Sequence, residues 1–281
     1  MQIGAAWRSS VRLVPCWVLL VVAMAPSAMA ETVADGLHAY RGGDFERARQ
    51  IWQDLADDGD AVAQFNLGTL YDSGEGVPQD TTRASELWVA AADQGLLIAA
   101  HNLALMELEQ AAGDPARLEA ALARLEQAAA SGLPRSTYTL GKMYLLGVGV
   151  PQDVDRALEL LRRAADAGLP RAEYNMGKIY RDGQGVVADP VAAADWFGRA
   201  ALHGHAGAQD HYARRLAAGE GVAADPVTAL GFALLAARQE YPDALAMAED
   251  LKQKLGIMDV AAAVRFADNF VPARPSAAAT Q

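Results

Sequence analysis

The chain repeats itself. Leu-Gly-x-x-Tyr, followed by Gly-x-Gly-Val, Asp-x-x-x-Ala and Ala-Ala-x-x-Gly, returns along its length at a near-constant interval. Gly141 and Gly177 stand 36 residues apart, as do Tyr144 and Tyr180. The segment-ending glycines Gly59, Gly95, Gly132, Gly168 and Gly204 are separated by 36, 37, 36 and 36 residues. A period in this range makes each copy one supersecondary unit whose apolar face only its neighbours can bury. Such a chain grows by stacking, so its 281 residues need not divide into globular domains of ordinary size.

One copy, Arg171 to Gly204, shows the local logic. Ala172, Met176 and Tyr180 fall at i, i+4 and i+8, one face of a helix. Gly183-Gln-Gly-Val186 ends it, because glycine accepts the left-handed backbone that closes helices and turns tightly. Asp189 is placed to cap a second helix, with Pro190 at the first position, where the missing N–H costs nothing. Ala193, Trp196, Phe197, Ala200 and Ala201 give that helix an apolar face, and Gly204 ends it. Each copy therefore reads as two antiparallel helices, A and B.

This pattern resembles the Sel1-like repeat, a relative of the tetratricopeptide repeat, over roughly residues 33–270. The resemblance implies an all-α, right-handed α-solenoid of helix-turn-helix repeats. Five copies are expected within 61–240, at 61–95, 97–132, 134–168, 170–204 and 206–240. Residues 31–60 read as an N-terminal capping helix pair, 241–270 as C-terminal capping helices with Asp259 capping the second, and 271–281 as a disordered tail. Two copies depart from the motif. In the second, Glu107 replaces the tyrosine and Gln110-Ala-Ala-Gly-Asp-Pro115 replaces the glycine loop. In the fifth, Ala213 replaces the glycine and Leu216 the tyrosine.

Residues 1–30 stand apart. Arg8 and Arg12 precede an apolar run from Leu13 to Ala25, and Ala28-Met29-Ala30 fits small-x-small cleavage, the pattern of a secretory signal peptide. The run is shorter than the ~20 residues a spanning helix needs. The expectation is cleavage after Ala30 and a mature chain, with no membrane span, in the bacterial periplasm. Cys16 leaves with the leader, so the mature chain has no disulfide, thiolate metal site or thiol nucleophile. Removing Arg8 and Arg12 changes 24 basic residues to 22 against 35 acidic ones, a net charge of −13. That balance argues against nucleic acid or anionic lipid as the main target.

The Gly-x-Gly-Val loops join helix to helix, and lack the preceding strand a nucleotide loop requires, so they read as turns. Asp80, Asp153, Asp189 and Asp225 lie a whole repeat apart and read as helix caps rather than acid–base pairs. His203, His205 and His211 are spaced poorly for a metal and read as solvated loop histidines; no metal or other cofactor is expected. At ~100° per residue the residue after the helix A glycine points away from helix B, toward the surface that lines the groove of a solenoid. That register, with its i−4 and i+3 neighbours, collects Tyr138, Lys142 and Leu145, then Tyr174, Lys178 and Arg181, then Asp210, Arg214 and Ala217. Tyr138, Lys142, Tyr174, Lys178, Arg181 and Arg214 are the candidate partner-binding residues. They suit an acidic or carboxylate-ending segment of a protein or peptide. The same side chains also read as solubilising cations paired with acids such as Glu173 and Asp182, with the tyrosines packing between repeats.

The resemblance adds that Sel1-like proteins act as scaffolds for protein assemblies, so the expected function is a non-catalytic, exported adaptor. Two alternatives follow from the same groove and family: recognition of envelope polysaccharide or peptidoglycan by the aromatics, or the β-lactam and cell-wall-related hydrolysis linked to cysteine-rich Sel1-like proteins. This chain lacks their paired cysteines and shows no nucleophile–base motif.

Overall fold

The computed structural model describes residues 31–111 and 114–273; the expected leader over 1–30 and residues 274–281 of the expected tail lie outside them. All described secondary structure is helical. The order is α1 Val33–Arg41, α2 Phe45–Asp57, α3 Ala61–Ser73, α4 Thr81–Asp93, α5 Leu97–Gln110, α6 Pro115–Ala130, α7 Pro134–Leu146, α8 Val154–Asp166, α9 Pro170–Asp182, α10 Pro190–Leu202, α11 Ala206–Ala218, α12 Pro226–Arg238, α13 Ala244–Lys254 and α14 Ile257–Asn269. Through α12 each helix packs on its neighbours in chain order, as sequential pairs in an α-solenoid.

The repeated aspartates begin the B helices as expected. Asp80, Asp153, Asp189 and Asp225 accept from the backbone N–H groups of Arg83, Arg156, Ala192 and Thr228 at 2.9, 2.9, 3.1 and 3.0 Å. Their own N–H groups donate back to the carbonyls of Tyr71, Tyr144, Tyr180 and Leu216 at 2.8, 3.0, 2.9 and 2.9 Å. The anchor across the turn is thus a backbone carbonyl, which is why Leu216 in the fifth copy serves as well as tyrosine. Gly74, Gly147, Gly183 and Gly219 end the A helices in the left-handed conformation.

The helix A glycine has a different cause. A Cβ on Gly177 would lie 2.7 Å from Phe197 Cδ1 on α10, and one on Gly68 would lie 2.8 Å from Trp88 of α4. Glycine is there because a large side chain from helix B reaches the helix A backbone. Phe197 is fully buried, and the core runs as a chain of clusters handed from one pair to the next. The divergent segment 97–132 still forms α5 and α6, joined by a shorter connection between Gln110 and Pro115.

The C-terminal end differs from expectation in one detail. α14 starts at Ile257 with Gly256 at its N-cap, so Asp259 lies inside the first turn and is not the cap. α13 and α14 both close on α12 rather than adding one more A/B pair. Phe266 of α14 covers Gly231, and its ring centroid lies 5.1 Å from that of Phe232. Beyond α14, Ala273 N donates to Leu202 O at 2.9 Å, and Pro272 lies over Gly204.

Candidate functional site

The groove is built from the exposed face of the A helices. On α7, Arg135, Tyr138 and Lys142 recur at i, i+3 and i+7; on α9, Arg171, Tyr174 and Lys178 repeat the set. These offsets place each set along one stripe of its helix. A cleft of about 550 Å³ opens where the first turns of α7 and α9 meet α5 and the α10–α11 corner. Its lining includes His101, Arg135, Tyr138, Arg171, His203 and His205, and no acidic residue. A second hollow of about 280 Å³ continues along α7 from Tyr138 and Thr139, shared by both, past Lys142 and Met143 to Leu146 and Val148.

The expected cations divide into two kinds. Arg214 is held in a fork by Asp210, with both N···O distances at 2.9 Å, and Arg181 by Asp182 at 2.6 and 2.8 Å. Those charges are neutralised within their own helix. Lys142 and Lys178, by contrast, form no ion pair among the described residues, and the Lys178 ammonium sits 5.8 Å from the Tyr174 ring centroid. Arg135 and Arg171 are likewise unpaired, and they are the groove cations that the sequence reading omitted. Their signal was present: each follows a helix-opening proline and stands seven residues before the lysine.

The tyrosines are fixed in place. Asn175 Nδ2 donates to Tyr138 Oη at 2.9 Å, joining α9 to α7. Burial pushes the Tyr138 phenol up. Tyr174 lies against Phe197, His205 and His211, and burial, then hydrogen bonding with Tyr241, pushes its phenol up to about 12. Both therefore keep their protons at neutral pH.

The histidines are not solvated loop residues. His203 Nδ1 lies 2.7 Å from Glu173 Oε2, and Glu173 is fully buried, with Arg199 Nε 3.4 Å from its other oxygen. The acid named as a possible partner of the groove lysines thus serves the interior instead. His205 caps α11 by accepting from Ala208 N at 3.2 Å and stacks on Tyr174 with centroids 4.4 Å apart. His211 stacks on Phe197 at 4.9 Å. Burial pulls His205 down, and holds His101 and His211 near 4, so these three imidazoles are neutral at pH 7. Sequence could not show this, because the aromatic neighbours come from other helices. His101 Nδ1 also lies 3.0 Å from Ser136 Oγ, but Ser136 is fully buried, and the pair braces α5 against α7.

Among the described residues no group of three or more His, Cys, Asp or Glu side chains is placed to hold a metal ion. No described helix is long and apolar enough to cross a membrane.

A family model described as Sel1 repeat matches residues 61–96, 134–169, 170–205 and 206–241, together 144 of the 281 residues. The divergent segment carrying α5 and α6 falls between two matches. No curated protein matches the chain by sequence. Among solved structures, a Sel1 repeat protein from Oxalobacter formigenes is 26% identical with a TM-score of 0.68, over 85% of this chain and 97% of that one. Two immunity proteins from Pseudomonas aeruginosa are 19% and 20% identical, each with a TM-score of 0.51, over 84% and 89% of this chain and 84% and 91% of theirs. At those identities the immunity proteins share the fold alone.

Proposed function

This chain belongs to the Sel1 repeat family, and from that premise we propose that it is a non-catalytic adaptor, exported to the periplasm, that holds a protein partner by a peptide segment laid in the helix A groove. Sel1 repeats generally mediate protein interactions. The observation that carries the reading is the continuity of the two hollows through Tyr138 and Thr139. Together they offer a polar end and an apolar end, the latter bordered by Leu146 at 61% and Val148 at 57% exposure. An extended segment gains orientation from the first and apolar burial from the second.

Selection from a random-peptide display library on the immobilised protein, followed by calorimetry of the selected peptides, tests the reading. Binding should weaken in a Leu146→Glu, Val148→Glu variant, both positions being exposed, that keeps its helical circular dichroism. No selected peptide, or equal binding by that variant, refutes it. The leader pattern over residues 1–30 supports export. N-terminal sequencing of protein from the periplasmic fraction should begin at Glu31, and cytosolic protein retaining Met1 overturns that part.

A further inference from the structure

The cleft at the polar end of the groove has a chemistry of its own. Arg135 and Arg171 supply guanidinium groups with no internal partner among the described residues. Tyr138 Oη receives its hydrogen bond from Asn175, which leaves the phenol proton free to be donated outward. His205 Nδ1 accepts from Ala208 N–H, so its proton is assigned to Nε2, a second donor on the cleft wall. His203 is turned by its Nδ1 contact to the buried Glu173 carboxylate, which fixes the ring at the cleft wall. Cations and outward donors are thus gathered in one hollow with no lining carboxylate, on a chain whose net charge is −11. A protein this acidic repels anionic segments in general, so a local concentration of unpaired donors selects for one placed here.

We infer that this cleft reads the side-chain carboxylates of an acidic peptide segment, one held by Arg135 with Tyr138 and the next by Arg171 with His205. Arginine suits the task because its planar fork meets a carboxylate with two parallel bonds. The spacing of the acids follows from the fold. The Tyr138–Asn175 bond bridges α7 and α9 through long side chains, while the two helices pack directly on α8 rather than on each other, so they stand at least the ~8–10 Å of packed helices apart. An extended strand advances about 3.3 Å per residue, which puts the two acids at least about three residues apart. The inference rests on the groove reading above but is separable from it.

The display selection discriminates the two. Peptides selected on the wild-type protein should be enriched in pairs of Glu or Asp at that spacing. Resynthesised with an amidated C-terminus they should bind as well as with a free one, because the recognised groups are side chains. Arg135→Gln and Arg171→Gln should each weaken binding of these peptides about tenfold or more, with circular dichroism and the unfolding midpoint retained. Glu173→Gln should weaken it less, because Glu173 reaches the cleft through His203 and does not line it. If peptides are selected without acidic enrichment, or if both arginine variants bind as the wild type, this inference falls and the groove reading stands. Loss of binding on amidation overturns it in favour of a terminal carboxylate. If no peptide is selected at all, both fall together.

Discussion

The helix A glycine can be tested by asking whether its substitution changes sign when its neighbour is removed. Alanine at position 177 would gain about 1 kcal/mol of helix propensity over glycine. In the folded chain, however, the new Cβ lies 2.7, 2.8 and 2.9 Å from Phe197 Cδ1, Cε1 and Cγ. Phe197 has little room to retreat, since it is fully buried, packed against Tyr174 and His211, and covered by the Arg215 guanidinium 5.0 Å from its centroid. Overpacking of this kind costs about 1–3 kcal/mol. Gly177→Ala alone should therefore be neutral to destabilising by about 2 kcal/mol. Phe197→Ala alone should cost about 3–5 kcal/mol through the cavity it leaves. In that background the obstruction is gone, and Gly177→Ala should stabilise by about 1 kcal/mol. The assay is urea unfolding of the four proteins, with stability taken from midpoint and slope. If Gly177→Ala destabilises equally with and without the ring, close approach of Phe197 is not why glycine stands there.

Glu240 has φ 56°, a left-handed residue at the corner where Gly204 stands one repeat earlier with φ 85°. Glu240→Gly should raise stability by about 1 kcal/mol, measured as a shift in the urea midpoint; an unchanged midpoint refutes the strain. Asp189→Ala should cost about 1 kcal/mol by removing the α10 cap, and a loss under a few tenths would show the cap to be redundant. His101 and His211 have folded values near 4 against 6.5 for an ordinary imidazole, chiefly through burial. Between those values the unfolded chain binds protons that the folded chain does not, so stability should fall as pH drops from about 6.5 toward 4. Carboxylates titrate mostly below that window. His101→Gln should flatten the slope of stability against pH over it, and an unaltered slope sinks the assignment.

The scaffold was legible because its positions repeat. Gly-x-Gly-Val, the capping aspartates and the alanine faces each recur, and repetition separates them from chance even in one sequence. What stayed hidden depends on contacts between copies or on choices among polar partners. Asp259 fits the pattern of a cap, yet the chain turns at Gly256, and α14 extends to bring Phe266 over Gly231. The burial of His205 and His211 is not visible in their local sequence because their aromatic covers, Tyr174 and Phe197, come from other helices earlier in the chain. Of the six expected groove residues, the structure joins Tyr138 with Lys142, and Tyr174 with Lys178, while Arg181 and Arg214 satisfy acids of their own helix.

The period also isolates what the scaffold does not dictate. The register position six before the helix A glycine, or its replacement, holds Val62 on α3, Ile98 on α5, Arg135 on α7, Arg171 on α9 and Gly207 on α11. Because α3 and α11 fold into the same hairpin without arginine, Arg135 and Arg171 are not demanded by the repeat. Three positions on, the series reads Phe65, His101, Tyr138, Tyr174 and Asp210; only α7 and α9 join a tyrosine to an unpaired arginine. The Asp210 carboxylate instead claims Arg214 at the next copy, closing the basic stripe from that side. On the other side α5 presents buried His101 and the aliphatic Leu105. A cationic segment two copies long, bounded by a neutralised copy and an apolar one, has the reach of a short peptide rather than of an extended surface, and that limit is why the acidic pair is assigned to α7 and α9.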